Sequence, residues 1–235
     1  MKVSIVLPVS LLSLYENVFH LCYGEVALEF PDYANFFSGE GQKGKIVILD
    51  YSPRLPRQQI NSERLWETYK LVQPTSLVLP GVDYNWKGTL SSAQSFVKEY
   101  GGRIKSRLIG LVEGYDLETM RQCYLGMSEL CGVIGLPCSL EKIARREEIV
   151  RDLGITQPTM YLEILGNPLE EIPPKSAVGL CTSFPVRLAA ESKLLSEYIP
   201  SPTPLNFSLP KERFDLELVK ENIEKYLEVV NSGGN

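Results

Sequence analysis

The stretch Leu108-Ile109-Gly110-Leu111-Val112-Glu113-Gly114 is an unbroken apolar run that stops abruptly on an acid and a glycine. Asp116 follows as a helix N-cap, and Leu117–Leu125 has helical character. Gly132-Val133-Ile134-Gly135-Leu136 then repeats the apolar run and ends at Pro137. A strand that is apolar at nearly every position is buried on both faces, as in a parallel sheet covered by helices. The same alternation recurs outward from this unit, at Val3–Leu7, Val26–Phe30, Ile46–Leu49 and Leu77–Leu79 before it, and at Met160–Leu165 and Ala177–Leu180 after it. Eight such runs predict an α/β chain folded as a (β/α)8 TIM-like barrel. In that fold the active site lies at the C-terminal ends of the strands. Ser10, Asp32, Asp50, Asp83, Glu113, Pro137, Asn167 and Cys181 occupy those positions in the predicted frame.

The connecting segments support this frame. Gln58–Val72 and Leu90–Tyr100 read as amphipathic helices, and Gly101-Gly102 is placed to end the second. Leu11–Cys22 carries a helical apolar pattern. Ser139 reads as the cap of a helix that Gly154 ends, and Pro185 as the first turn of a helix running to about Leu195. The crossover around Gly166–Pro174 is short. Residues 1–200 are expected to form the barrel. Residues 201–235, a proline-rich loop and an amphipathic helix over Leu216–Val230, are expected to cover part of the same domain.

Composition narrows the function classes. With 235 residues and 44% hydrophobic content the chain can bury one barrel-sized core. A net charge of −5 lacks the basic surplus of a dedicated nucleic-acid binder. Five irregularly spaced cysteines, without a CxxC pair, read as reduced thiols of a cytoplasmic protein. The only histidine is His20, so a Cys/His zinc site and a Ser/His/Asp or Cys/His triad are not expected. No metal or cofactor motif is present, and none is expected. Pro8 interrupts the apolar N-terminal stretch, which reads as the first strand rather than a signal peptide. No run reaches membrane-span length, and no membrane partner is expected.

Four residues carry most of the chemical interest. Asp50 directly follows an apolar run, as either a loop cap or a carboxylate at the barrel mouth. Asp83, in Pro80-Gly-Val-Asp83, either stabilises its turn or accepts hydrogen bonds from a purine-like edge. Glu113 ends an apolar strand, where an acid is costly unless paired, and Gly114 beside it permits close backbone approach to a ligand. Cys181 is either packing or a nucleophile whose thiolate would need nearby cations or helix dipoles.

Together these loops resemble the tRNA-guanine transglycosylase superfamily, in particular its short, zinc-less members linked to 7-deazaguanine. The resemblance rests on Asp50-Tyr51-Ser52-Pro53, Pro80-Gly-Val-Asp83, Glu113-Gly114, Ile134-Gly135-Leu136-Pro137, Leu165-Gly166-Asn167-Pro168 and Cys181-Thr-Ser-Phe-Pro185. It implies a protein that exchanges or cleaves a guanine or 7-deazaguanine base at an N-glycosidic bond. Asp50 would be the general acid/base and Cys181 would stand in the nucleophile's place. Asp83, Glu113, Gly114, Gly135, Leu136, Pro137 and Gly166 would bind the base. The implied partners are that base and tRNA or DNA, with a homodimer or partner subunit as a further possibility. The chain departs from the family in having Cys181 where the family has aspartate, and Tyr51-Ser52-Pro53 where it has Ser-Gly-Gly. Two alternatives stay open: a non-catalytic base-binding or partner-subunit barrel of the same family, and an unrelated TIM-barrel enzyme acting on a small metabolite.

Overall fold

The computed structural model describes residues 2–51, 61–163, 177–195 and 205–232. Eight strands are present: β1 (Lys2–Ile5), β2 (Phe19–Tyr23), β3 (Ile46–Asp50), β4 (Ser76–Val78), β5 (Arg107–Leu111), β6 (Val133–Pro137), β7 (Thr159–Leu162) and β8 (Ala177–Thr182). All the ladders are parallel, in the order β1-β8-β7-β6-β5-β4-β3-β2. The sheet curls into a nearly closed barrel with helices between the strands. Between strands lie α1 (Gly24–Glu29), α2 (Pro31–Gln42), α3 (Ser62–Val72), α4 (Trp86–Tyr100), α5 (Leu117–Ser128) and α6 (Arg146–Leu153), and after β8 come α7 (Phe184–Ala190) and α8 (Leu216–Ser232).

Local chemistry sets the helix boundaries. The Asp116 carboxylate accepts the Thr119 N–H at 2.8 Å, and the Thr119 hydroxyl accepts the Asp116 N–H, a reciprocal cap that starts α5. The Asn61 side chain accepts the N–H groups of Glu63 and Arg64 and starts α3. Gly154 ends α6 with φ of 66°, a left-handed conformation that costs glycine nothing. Beyond the barrel, α8 packs on α7 through the buried Asn222. Its side chain accepts the Leu195 N–H at 2.8 Å and donates to the Lys193 carbonyl at 2.9 Å.

The last seam, between β1 and β2, is closed by a side chain. Asn17 is buried just before β2; its carboxamide accepts the Ile5 N–H at 2.7 Å and donates to the Ile5 carbonyl at 2.9 Å. An amide side chain presents the donor–acceptor pair of a peptide group, so Asn17 replaces one rung of the missing ladder.

Several sequence expectations are corrected here. The second strand is Phe19–Tyr23, inside the segment expected to be a helix, whereas Val26–Phe30 lies largely in α1. Asp32 is therefore an exposed residue in the first turn of α2 rather than a mouth residue. Cys138–Lys142 is a 3-10 turn and α6 begins only at Arg146, so Ser139 caps no α-helix. The helix after β8 ends at Ala190, and the one before β4 begins at Ser62. Among the described residues no helix is long and apolar enough to cross a membrane.

Candidate active site

The C-terminal ends of the strands gather carboxylates. Glu113 lies just past β5, is completely buried, and is held by donors from two neighbouring connections. The Ser139 hydroxyl, after β6, donates to it at 3.2 Å, and the Tyr84 backbone N–H, after β4, donates at 3.1 Å. Tyr84 adopts φ of 60°, uncommon for a residue with a side chain and costing on the order of 1–3 kcal/mol. That turn aims its N–H at the acid.

Glu163, just past β7, forms the second anchored carboxylate. One oxygen accepts both the Ser183 N–H at 3.0 Å and the Ser183 hydroxyl at 2.7 Å; the other accepts the Tyr23 hydroxyl at 3.0 Å. One side chain thus ties together the ends of β7, β8 and β2. Glu163 also has positive φ, 58°. Its carbonyl accepts from Arg146, whose fully buried guanidinium also reaches the Leu136 carbonyl and lies 4.9 Å over the Tyr161 ring. This cation clamps the ends of β6 and β7.

Asp50 ends β3 and is buried, with one oxygen accepting the Tyr51 N–H at 2.8 Å. Cys181 stands on β8 level with Leu162 and Ser4 and is fully buried. Burial, reinforced by the charges of Glu163 and Asp50, holds its thiol well above the ordinary range. That environment opposes the thiolate a nucleophile requires. Asp83 is buried after β4, and its charge, with those of Glu113 and Cys138, adds to burial in raising the Tyr84 phenol. The acids therefore fall into two neighbourhoods: the expected Asp83 and Glu113 lie around Tyr84, and the expected Asp50 and Cys181 lie with Glu163, a residue the sequence did not single out.

The remaining expected residues are used mainly by the scaffold. A Cβ on Gly114 would meet the Met120 nitrogen and the Thr119 hydroxyl at 2.7 Å, so the missing side chain lets the chain pass close over the start of α5. A Cβ on Gly135 would lie 3.0 Å from Leu111 and Leu162 side chains inside the barrel. Leu136 and Pro137 are buried in β6. Ser10 donates its hydroxyl to the Leu209 carbonyl. Gly166 and Asn167 lie outside the described residues.

Glu163, Tyr23, Ser139 and Ser183 were not among the expected site residues. Glu163 carried a signal, because it is the one charged residue inside the run Met160–Leu165. Its partners come from distant segments and are set by the fold alone.

No protein-family model matches the sequence, and no curated protein does. Among solved structures, the chain is similar to D-psicose 3-epimerase crystallised in the presence of D-fructose, with TM-score 0.54, 9% identity and 100% of both chains covered. It is also similar to the YdjI aldolase of Escherichia coli K12, with TM-score 0.56, 13% identity, and 97% of this chain and 89% of that one covered. At such identity the likeness shows the barrel fold alone.

These neighbours correct the family expectation. They are an epimerase and an aldolase, not tRNA-guanine transglycosylases, and they lend no support to a nucleobase, tRNA or DNA partner. The earlier resemblance rested on acid–glycine pairs and glycine turns after strands. Acids and glycine turns at strand ends occur where barrels of many functions build their sites, so they do not identify one family.

Proposed function

We propose that this barrel is an enzyme moving protons on a small polyhydroxylated carbonyl compound, an isomerase, epimerase or lyase of the sugar-handling kind. Glu113 and Glu163 are its acid–base pair. The observation that carries the reading is that two anchored carboxylates stand at the ends of β5 and β7, the strands either side of β6. Neighbouring strands lie about 4.8 Å apart, so the two strand ends are separated by roughly 10 Å, enough for a small molecule between them. Burying a carboxylate costs free energy unless donors compensate, and both acids are supplied with donors beside residues in a left-handed conformation.

In the proposed reaction one carboxylate removes a proton from the carbon next to the carbonyl. The C–H electron pair becomes the C=C bond of an enediol as the carbonyl oxygen takes a proton from the other, protonated carboxyl group. Return of the proton to the opposite face of the same carbon gives the epimer, and its delivery to the neighbouring carbon, with loss of the other enediol O–H proton, gives the isomer. In the lyase outcome the base instead takes the proton of the hydroxyl β to the carbonyl. The O–H pair becomes the new C=O, the Cα–Cβ pair becomes the C=C of the enol, and the carbonyl oxygen takes the proton of the acid. Asp50 and Asp83 accept hydrogen bonds from substrate hydroxyls. The fold neighbours, a D-psicose 3-epimerase and an aldolase, show that this barrel fold hosts both reaction types in other proteins.

The test is solvent-exchange NMR in D2O with a panel of ketohexoses, aldohexoses and pentuloses. Deuterium should enter the carbon beside the carbonyl, and E113Q and E163Q should each abolish this with the fold retained. Absence of exchange across the panel, or exchange preserved in both variants, would overturn the proposal.

A further inference from the structure

The opposite end of the barrel carries a second concavity. A cavity of about 500 Å³ opens among the N-terminal residues of all eight strands, within the range of small-molecule pockets. Barrel interiors are ordinarily filled by layered side chains, and conservation at this end ordinarily reads as stability rather than chemistry. Here the wall is mainly apolar, formed by Phe19, Ile48, Ile109 and Met160 and interrupted on the β4 side by Thr75 and Ser76. Its mouth carries three exposed cations, Lys2, Lys105 and Arg107, with no acid among the described lining residues. None of the three forms an ion pair among the described residues. In a chain of net charge −5, three unpaired cations around an apolar opening are a local inversion of the average. Val178 and Ile46, 44% and 41% exposed, add apolar surface at the same rim.

We propose that this cavity binds an amphiphilic organic anion, a monocarboxylate with an unbranched hydrocarbon tail. The tail lies against Phe19, Ile48, Ile109 and Met160, and the carboxylate rests at the mouth among Lys2, Lys105 and Arg107. Apolar burial supplies most of the affinity, at about 25 cal/mol per Å² of surface removed from water. The guanidinium of Arg107 supplies the forked donor geometry that suits a carboxylate. The site lies a strand length from the carboxylate mouth, so its occupancy does not depend on the activity proposed above.

Isothermal titration calorimetry on the full chain tests this with decanoate below its micelle-forming concentration, 1-decanol and inorganic phosphate. Decanoate should bind one to one, decanol about tenfold more weakly, and phosphate not measurably. K105E and R107E should each weaken decanoate about tenfold while leaving decanol unchanged. V178W, at a half-exposed position that tolerates bulk, should obstruct the mouth and weaken both. In methyl-labelled protein the Met160 ε-methyl resonance should shift on titration. Failure of decanoate to bind, equal affinity for decanol, or wild-type affinity in both charge-reversal variants would overturn the proposal. An unmoved Met160 methyl would overturn it as well.

Discussion

Replacing Asn17 with leucine removes the one side chain that stitches β1 to β2 while keeping nearly the same volume. The structure sets the size of the effect. Asn17 makes two hydrogen bonds of 2.7 and 2.9 Å to a single buried residue, Ile5, and is itself 4% exposed. In the Leu variant both Ile5 backbone groups lose their partner without gaining access to water, and each such group costs about 1–3 kcal/mol. Part of this is regained because leucine is cheaper to bury than a carboxamide, leaving a net loss of roughly 2–4 kcal/mol. Against a typical total of about 5–15 kcal/mol this is large, and it corresponds to a fall in Tm of roughly 5–12 °C for a chain this size. Guanidinium unfolding followed by circular dichroism measures it, with an unchanged m-value showing that the same surface unfolds. Asn17→Asp separates the two bonds, because it keeps the acceptor for the Ile5 N–H but sets an anionic oxygen against the Ile5 carbonyl. A loss below about 0.5 kcal/mol in the Leu variant would mean that helix packing alone closes the barrel, and the seam argument would fail.

Other expected outcomes follow from the same contacts. Burial lowers the His20 pKa below its ordinary 6.5, against the partial opposition of Glu40, so folding disfavours protonation of this ring. Its contribution to stability is complete above about pH 6.5 and is lost as pH falls below that value, where the unfolded chain takes up a proton the folded one refuses. A His20→Phe variant should flatten the stability profile between pH 5 and 7, and an unaltered profile would assign that slope to other groups. All five cysteines are buried, with Cys123 pushed up to about 12 and Cys131 to about 11. The native protein should resist a disulfide reagent at pH 8 and release all five thiols only in denaturant; rapid native labelling would contradict the burial. Ser183→Ala removes the 2.7 Å hydroxyl donor to Glu163 and should lower kcat of the proposed exchange about 10–100-fold with little change in KM. A KM effect alone would mark Ser183 as a binding rather than a positioning residue.

The barrel was legible in the chain because strands buried on both faces are written as nearly continuous apolar runs, and seven of the runs coincide with observed strands. The second strand escaped for a physical reason. Phe19–Tyr23 contains His20, which packs edge-on against Phe36 and Phe37 of α2 and meets Glu40, so the apolar run is broken where the fold tolerates a polar group. The Val26–Phe30 run beside it is equally apolar, yet it lies among Ala, Leu and Glu, which favour helix. Among the acids gathered at the strand ends, those visible in the sequence follow an apolar run, directly at Asp50 and Glu113 and after a Pro-Gly turn at Asp83. Glu163 sits inside an apolar run, and its donors Tyr23 and Ser183 lie 140 and 20 residues away in sequence. Such partners are fixed by which strands are neighbours around the barrel, which periodicity does not encode.

The two ends of this barrel carry opposite charge, and that contrast bears on substrate choice. Among the described residues, Asp50, Asp83, Glu113 and Glu163 lie at the C-terminal end with two buried guanidiniums, Arg146, engaged by the carbonyls of Leu136 and Glu163, and Arg187 early in α7, so acids outnumber cations there by four to two. Field lines concentrate in clefts bounded by low-dielectric walls, so a ring of carboxylates repels anions and attracts hydroxyl donors. A neutral ketose should therefore be preferred over its phosphate ester in the proposed exchange. The preference should shrink as added salt screens the repulsion over a Debye length of about 8 Å at physiological ionic strength. Measured as kcat/KM at low and high salt, a phosphorylated sugar that outcompetes the neutral one at both would mean that the cations at this end offset its carboxylates. With such a result, the charge contrast between the ends would no longer explain which ligand each end selects.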